Sequence, residues 1–259
     1  MNPPYNIWHI NLPMILLAVF LLFIYFMIQT RFTIKGWIFF CGIVLLLLVS
    51  ISPLDVIGHN YLFSAHMVQH IVLLLIIPPL LLNGFEEDEM NLLNPPPWLK
   101  KLFSFVLHPV VAWITGIGIM WFWHIPSVFL AMKESPVLHV LHLYSLVLAG
   151  LIFIWPVHSP VRWKRLSSSL LSVLYLFMAC IGCTLLGIVL TFSTKLYYVQ
   201  AFIYDYPGKF LPDFLQMTPG ADQQVAGLIM WVPACIIYII NSMVILGRWL
   251  KSSEPGYNE

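Results

Sequence analysis

The sequence predicts an all-α integral membrane protein, a polytopic transmembrane helical bundle of about seven helices. Of its 259 residues, 60% are apolar and only 9% are charged, whereas a soluble domain carries about a quarter charged residues. Its 10 Trp, 11 Tyr and 18 Phe are typical of a chain whose rings lie where hydrocarbon meets lipid headgroups. Because an open strand edge finds no hydrogen-bond partner in lipid, we expect the spans to be helices.

Seven stretches meet or approach the length of about 20 mostly apolar residues that a helix needs to cross the hydrocarbon core. They lie near residues 12–29, 36–52, 62–83, 106–124, 137–157, 170–191 and 224–247. Residues 1–259 are therefore predicted to form a single integral membrane domain. The net charge of +1 leaves no basic excess for a phosphate backbone, so we expect no nucleic acid partner.

The positive residues of the connections predict the orientation, since Lys and Arg stay on the cytoplasmic side. With the N-terminus outside, the inner segments hold nine of them: Arg31, Lys35, Lys100, Lys101, Arg162, Lys164, Arg165, Arg248 and Lys251. The outer segments hold three: Lys133, Lys195 and Lys209. This asymmetry favours an outside N-terminus and a cytoplasmic C-terminus, for which an odd number of spans is required.

Two connections and one helix have unusual composition. The inner connection with acidic residues 86–89 and prolines 95–97 is interpreted as a solvated, stiffened connector. The outer connection, about 192–223, is predicted to cover the outer interface with its aromatic residues, Tyr197, Tyr198, Tyr204, Tyr206, Phe210 and Phe214. Pro78 and Pro79 are expected to bend the third helix and to free backbone carbonyls.

Histidines are the residues that most need an explanation, because an ionisable side chain inside a membrane span costs free energy. On the predicted topology five of them lie at one depth in the outer leaflet: His66, His70, His124, His139 and His142. His66 and His70 are spaced i, i+4, and the last two are spaced i, i+3, so each pair shares one helix face. An interhelical hydrogen bond explains one such histidine equally well, but the group of five predicts a metal site.

The residue types around this group favour a metal that binds imidazole, namely Zn, Cu, Fe or Ni. Few carboxylates lie nearby, chiefly Asp55 and Asp222, which argues against Mg, Ca and Mn. Soft thioether partners would favour Cu(I), and the methionines near the histidines are Met67, Met120 and Met132. Methionine is, however, more often an ordinary gap-filler in helix packing.

Cys180 and Cys183 form a C-x-x-C on the predicted sixth helix. This spacing can chelate a soft metal or form a disulfide. The neighbouring small residues Ala179, Gly182 and Gly187 favour close helix packing as the explanation. The two cysteines are therefore not included in the predicted site.

Segments distributed along the chain resemble the polytopic CtaG family of cytochrome c oxidase assembly factors. They are Ser52-Pro53-Leu54-Asp55, Ser64-Ala65-His66-Met67-Val68-Gln69-His70, Pro78-Pro79, His108-Pro109, the stretch 121–126, the pair His139 and His142, Trp155-Pro156, and Asp222-Gln223-Gln224 leading to Met230-Trp231-Val232-Pro233. Together they extend from about residue 50 to about residue 235. The His-Met-x-Gln-His segment with the double proline is the most specific of them.

The resemblance implies a multi-pass protein of the bacterial plasma membrane that is needed to make active haem-copper oxidase, at the stage where copper enters the catalytic subunit. It implies copper as cofactor, the catalytic subunit and a copper donor protein as partners, and no enzyme activity. The oxidase's buried copper centre also lies below the outer surface, so lateral transfer is feasible. Carried over as candidate metal ligands are His66, His70, His124, His139, His142, Asp55 and Asp222.

Two other functions are compatible with the sequence. Paired histidines from facing helices can also ligate haem iron or build a non-haem iron site, so a membrane metal oxidoreductase is the first alternative. The second is a metal-free structural assembly partner of the oxidase, in which the histidines only connect helices.

Overall fold

The computed structural model describes residues 8–31, 33–93, 95–161, 166, 168–203 and 216–253. Within these residues all regular structure is helical, which confirms the predicted all-α bundle. The helices are α1 (Leu12–Ile28), α2 (Ile34–Ile51), α3 (Pro53–Asn60), α4 (Phe63–Ile71), α5 (Ile77–Asn83), α6 (Glu87–Leu92), α7 (Pro97–Val106), α8 (Pro109–Trp123), α9 (Pro126–Glu134), α10 (Pro136–His158), α11 (Ser169–Phe192) and α12 (Pro219–Ser253). A π-helical turn, Val72–Ile76, joins α4 to α5, and a 3-10 turn spans Val199–Ala201.

Every predicted span falls on a helix, but the helices differ in whether they can cross a membrane alone. Among the described residues, α2, the continuous stretch Phe63–Asn83, α10, α11 and α12 are each long and apolar enough. Helices α7 and α8 are bent by 62° and supply a sixth span if they are counted together. Helix α1 is apolar but has 17 residues. The number seven and the orientation therefore stay predictions.

Several residues used for those predictions lie outside the described part of the chain. They are Arg162, Lys164, Arg165 and Lys209 of the charge comparison, and Tyr204, Tyr206, Phe210 and Phe214 of the predicted outer cover.

Prolines and small polar residues determine where two of the helices begin. Ser52 precedes Pro53 at the start of α3, and its side chain accepts the backbone N–H two residues later at 3.3 Å. Ser135 precedes Pro136 at the start of α10, and its hydroxyl accepts a backbone N–H at 3.4 Å. Proline suits the first helical turn because its missing N–H has no partner there in any case.

The double proline changes the winding of the helix that carries His66 and His70. Pro78 and Pro79 lack the N–H groups that would bond the carbonyls four residues earlier. The chain before them widens into the π-helical turn, in which the N–H of Ile77 donates to the carbonyl of Val72. The predicted distortion is therefore a locally wider turn, directly after the histidine-bearing helix.

Gly150 of α10 lies against this wider turn. A Cβ on Gly150 would lie 2.5 Å from Cγ of Pro78 and closer still to the carbonyl oxygen of Leu74. We expect Gly150→Ala to lower the free energy of unfolding by about 1–3 kcal/mol, because the two helices must separate to admit the methyl group. Gly118→Ala is the matched control, since a Cβ there meets nothing within 4 Å. Thermal unfolding of both purified variants measures the difference, and equal midpoints would contradict this account of the packing.

The acidic connection after α5 is bonded to the turn between α1 and α2. Glu86 accepts hydrogen bonds from the hydroxyl of Thr33 at 2.7 Å and from Nζ of Lys35 at 2.8 Å. These bonds, the one from Lys35 first, hold the pKa of Glu86 below its ordinary value. Glu89 accepts bonds from the N–H and the hydroxyl of Thr30. The segment predicted as a solvated connector is thus also hydrogen-bonded to the turn between α1 and α2.

The cysteines do not pair within the C-x-x-C motif. Cys180 of α11 forms a disulfide with Cys235 of α12, whereas the thiol of Cys183 is buried and free. The two helices pack closely, since a Cβ on Gly187 of α11 would overlap the ring of an α12 tryptophan. Helices α11 and α12 therefore pack closely, which is the interpretation that the sequence favoured for this motif. The disulfide also links them covalently.

Candidate metal site

Three histidines from two helices bring their Nε2 atoms together at one end of the bundle. His66 and His70 lie one turn apart on α4, and their Nε2 atoms are 3.0 Å apart. His142 of α10 places its Nε2 atom 2.7 Å from that of His70. All three side chains are buried. Their ligand atoms lie within 4.8 Å of one another, and no other three His, Cys, Asp or Glu residues in the described part of the chain do so. We call this group the histidine triad.

Neutral imidazoles alone do not satisfy the hydrogen-bonding requirements of the histidine triad. Each ring nitrogen carries either one N–H or one lone pair in the ring plane, so Nε2 of His70 can bond only one of its two neighbours at a time. The Nδ1 atoms of the three rings are buried and have no hydrogen-bond partner among the described residues. A cation would remove the conflict among the Nε2 atoms, because all three then donate their lone pairs to one ion.

The spacing of the histidine triad is close to that required for one metal ion. Nitrogen ligands about 2.0–2.1 Å from a metal in tetrahedral geometry lie about 3.3–3.4 Å from one another. The observed separations of 2.7 and 3.0 Å are somewhat shorter. Widening these two separations by less than about 1 Å would bring them to the tetrahedral value.

Aromatic rings and one hydroxyl fix the orientation of the histidine triad. The ring of Phe129 packs edge-on against His66 at 5.2 Å, and that of Trp123 packs edge-on against His142 at 5.0 Å. The indole N–H of Trp123 donates to the hydroxyl of Ser145 at 2.8 Å. That hydroxyl donates in turn to the carbonyl of His142 at 2.8 Å. The rings are thus held in an apolar surround that excludes bulk water.

His124 lies beside the histidine triad and directs its nitrogens elsewhere. Its ring centroid is 5.3 Å from that of His70. Its Nδ1 atom lies 2.6 Å from the carbonyl oxygen of Met120, which can only accept, so Nδ1 carries the proton. The lone pair of Nε2 then faces Sδ of Met67 at 3.3 Å, and a thioether has no proton to donate. The two atoms form a nitrogen–sulfur pair that suits a soft metal ion.

The segment after α11 covers this end of the bundle. The hydroxyl of Tyr198 donates to the carbonyl of His124 at 2.5 Å. The ring of Tyr198 packs against Phe63 at 4.5 Å and against Phe129 at 4.7 Å. In its described part, the outer connection therefore packs over this end of the bundle, while its place along the outer interface stays a prediction.

Asp222, at the start of α12, holds the first turn of the helix that carries His66 and His70. Its carboxylate accepts the backbone N–H of Phe63 at 2.7 Å and that of Ser64 at 2.9 Å. The side chain is fully buried. Leu62, at the capping position of α4, has no side-chain acceptor of its own, so a residue distant in sequence supplies the cap.

Asp55 is likewise engaged by residues outside the histidine triad. Its Oδ1 atom accepts a hydrogen bond from the amide of Gln69 at 2.5 Å. Its Oδ2 atom lies 3.0 Å from Nε2 of His9. The same Gln69 amide also donates to the carbonyl of Val49 at 3.4 Å. The carboxylate thus ties α3 and the N-terminal segment to α4.

Comparison with known proteins identifies the family. A family model described as cytochrome c oxidase caa3 assembly factor (Caa3_CtaG) matches residues 20–252. The chain belongs to the Caa3_CtaG family. No curated protein and no solved structure matches it. The apolar helices and the family together identify a multi-pass protein of the bacterial membrane.

Beyond the histidine triad, this Caa3_CtaG chain carries a second histidine layer. The rings of His59 and His139 pack edge-on with centroids 4.6 Å apart, and His139 lies 6.2 Å from His142. Burial lowers the pKa of His59 to about 3, so the ring is neutral and free to bind a cation at neutral pH. Lys133 of α9 donates to the carbonyls of Gly58 and His59, and burial lowers its pKa to about 7. The positive charge next to this layer is therefore partly removed at neutral pH.

The seven residues predicted as metal ligands occupy different places in the Caa3_CtaG structure. Three of them form the histidine triad, while His124 and His139 flank it. Asp55 and Asp222 hold α4 in position, and their role as ligands stays a prediction. Gln69 was not among the residues predicted for the site, although it lies in the family-like segment 64–70. The sequence could have pointed to Gln69, because burying an amide in an apolar span costs free energy, as burying a histidine does.

Proposed function

We propose that this Caa3_CtaG protein supports the delivery or insertion of copper into the catalytic subunit of cytochrome c oxidase, with the ion held on the histidine triad. Family membership makes it an oxidase assembly factor. The observation that carries the copper proposal is the convergence of three ring nitrogens, one from each histidine, within 4.8 Å in a buried site.

The donor set favours copper over the other metals that bind imidazole. The histidine triad offers nitrogen ligands only, and the adjacent pair of His124 and Met67 adds a thioether. Copper accepts this combination in both oxidation states, Cu(II) through imidazole and Cu(I) through imidazole and thioether. The two kinds of ligand could therefore hold copper in whichever oxidation state it is supplied.

The position of the histidine triad suits lateral transfer. In the predicted orientation its end of the bundle lies in the outer leaflet, where Phe129 of α9 packs against His66 and Tyr198 packs against Phe129. A copper ion held there is at a depth similar to that expected for the oxidase centre. The two membrane proteins could then exchange the ion without passing it through bulk water.

Copper content of the purified full-length protein tests the proposal. We expect wild type loaded with Cu(II) in air to retain about one ion per chain with nitrogen splitting in its electron paramagnetic resonance spectrum, as a three-imidazole site requires. His66→Ala with His70→Ala is expected to lose that signal, because one remaining imidazole cannot chelate. His108→Ala is the control, since His108 is exposed at the α7–α8 bend. A double variant with wild-type copper and nitrogen splitting would overturn the proposal.

The alternative functions predict different spectra and contacts. The cavity bordered by His70 and His124 has a volume of about 20 Å³, which is too small for a porphyrin, so a haem-based oxidoreductase would require a large rearrangement. A Soret band in the purified protein would support haem. A metal-free assembly partner would bind the oxidase subunit equally well with and without added copper, and this can be measured by co-purification of the wild-type protein.

A further inference from the structure

Sulfur atoms line a small cavity on the side of the histidine triad that faces the π-helical turn. The cavity has a volume of about 20 Å³, and the residues lining it are His70, Ile71, Leu74, Leu75, Met120, His124, Cys183, Met230 and Ala234. A volume of this size holds about one water-sized particle. Three of its lining residues, from three different helices, carry sulfur: Met120, Cys183 and Met230.

Two of the sulfur atoms are close to each other, and all three sulfur-bearing residues are buried. Sγ of Cys183 lies 3.7 Å from Sδ of Met120 and 3.8 Å from the hydroxyl oxygen of Tyr238. Cys183 is 2% exposed, and Met120 and Met230 are each 4% exposed. Cys183 is a free thiol, whereas its C-x-x-C partner Cys180 is used in a disulfide. The thiol is therefore kept available next to thioethers in an apolar cavity.

We propose that this cavity is a second metal site, specific for a soft monovalent ion, in which Cys183 and Met120 bind Cu(I) with Met230 as a further ligand. Thiolate and thioether ligands select Cu(I) over divalent ions. His70, a member of the histidine triad, and His124, which lies beside it, both line this cavity. The biological meaning of the site, a holding position for reduced copper beside the histidine triad, rests on the proposed function.

Binding of Cu(I) at this site requires no electron transfer. The thiol proton of Cys183 is exchanged for the cuprous ion, copper stays Cu(I), and the proton is released to the buffer. The π-helical turn contributes Leu74 and Leu75 to the cavity wall. Such turns occur frequently at functional sites, and here the turn widens α4–α5 beside the sulfur atoms.

An anaerobic titration of the full-length protein with Cu(I), against a colourless Cu(I) chelator, tests the second site. We expect wild type to bind one ion more than the histidine triad accounts for and to develop near-ultraviolet thiolate-to-copper absorption. Cys183→Ser is expected to lose the absorption and one ion but to retain the Cu(II) signal of the histidine triad. Met120→Leu, which keeps the thiol, is expected to bind this ion at least about tenfold more weakly, as loss of a supporting group at a metal site does. Cys41→Ser is the control, because Cys41 is the other free thiol and is exposed.

The two proposals fail in different ways. His142→Ala removes one ligand of the histidine triad, and His142 does not itself line the cavity, so the variant is expected to lose the Cu(II) signal and to keep the thiolate absorption. Wild-type protein that shows no thiolate-to-copper absorption when saturated with Cu(I) would overturn the second site, whatever the stability of the variants. The same absorption in Cys183→Ser as in wild type would also overturn it.

Discussion

Cells whose Caa3_CtaG protein carries His66→Ala with His70→Ala are expected to produce cytochrome c oxidase that contains haem but lacks the catalytic copper, and to lose oxidase activity. The two substitutions remove two of the three nitrogen ligands of the histidine triad. Removal of even a supporting group costs about 10–100-fold in metal affinity, so the loss of two ligands should empty the site. The measurement is the copper-to-haem ratio of the purified oxidase, together with its activity.

The copper-to-haem ratio separates copper delivery from a purely structural role. If the protein only held the oxidase subunit during assembly, the amounts of subunit, haem and copper would fall together, and the ratio would not change. His108→Ala serves as the control in the same cells, and immunoblotting establishes equal amounts of each variant in the membrane. An oxidase with its normal copper content in the double variant would refute copper delivery through the histidine triad.

Asp222→Ala is expected to produce the largest loss of stability of any single substitution considered for this protein. The buried carboxylate accepts two backbone N–H groups at the start of α4, at 2.7 and 2.9 Å. Alanine leaves both donors without an acceptor in an apolar environment. We expect the free energy of unfolding to fall by about 2–4 kcal/mol, measured by thermal unfolding in detergent, with faster amide hydrogen exchange in the first turn of α4.

Two further variants show whether the effect of Asp222→Ala comes from the cap. Asp222→Asn keeps one oxygen acceptor, and we expect it to lose about half as much stability as the alanine variant. Asp88→Ala removes an exposed carboxylate from α6 and should leave stability unchanged. Unaltered hydrogen exchange in α4 of Asp222→Ala would show that the carboxylate does not hold that turn.

Much of the fold was predictable because it depends on local sequence. Apolar stretches of sufficient length define helices in a membrane wherever they occur, and the seven predicted stretches all lie on helices. The 62° bend between α7 and α8 was not predicted. Hydropathy carries no information about a bend in a helix. The bend lies at His108-Pro109, where the proline marks the start of α8.

The site was predictable only in part, because a metal site requires residues from helices that are distant in sequence. The i, i+4 spacing was sufficient to place His66 and His70 on one face. The spacing of His139 and His142 suggested a second pair, yet only His142 reaches the histidine triad, while His139 pairs with His59. Helix periodicity predicts which residues share a face of a helix, but it does not predict which other helix that face packs against.

By itself the sequence determined that this protein is a helical membrane bundle, that its histidines concentrate near one end, and which family it resembles. These properties follow from composition, helix length and residue order along the chain. Only the tertiary structure decided that His142 completes the histidine triad, that Cys235 pairs with Cys180 and leaves Cys183 free, and that Asp222 caps α4. Each of these depends on the rotation and depth at which two helices pack, and that is decided by side-chain contacts across the whole bundle.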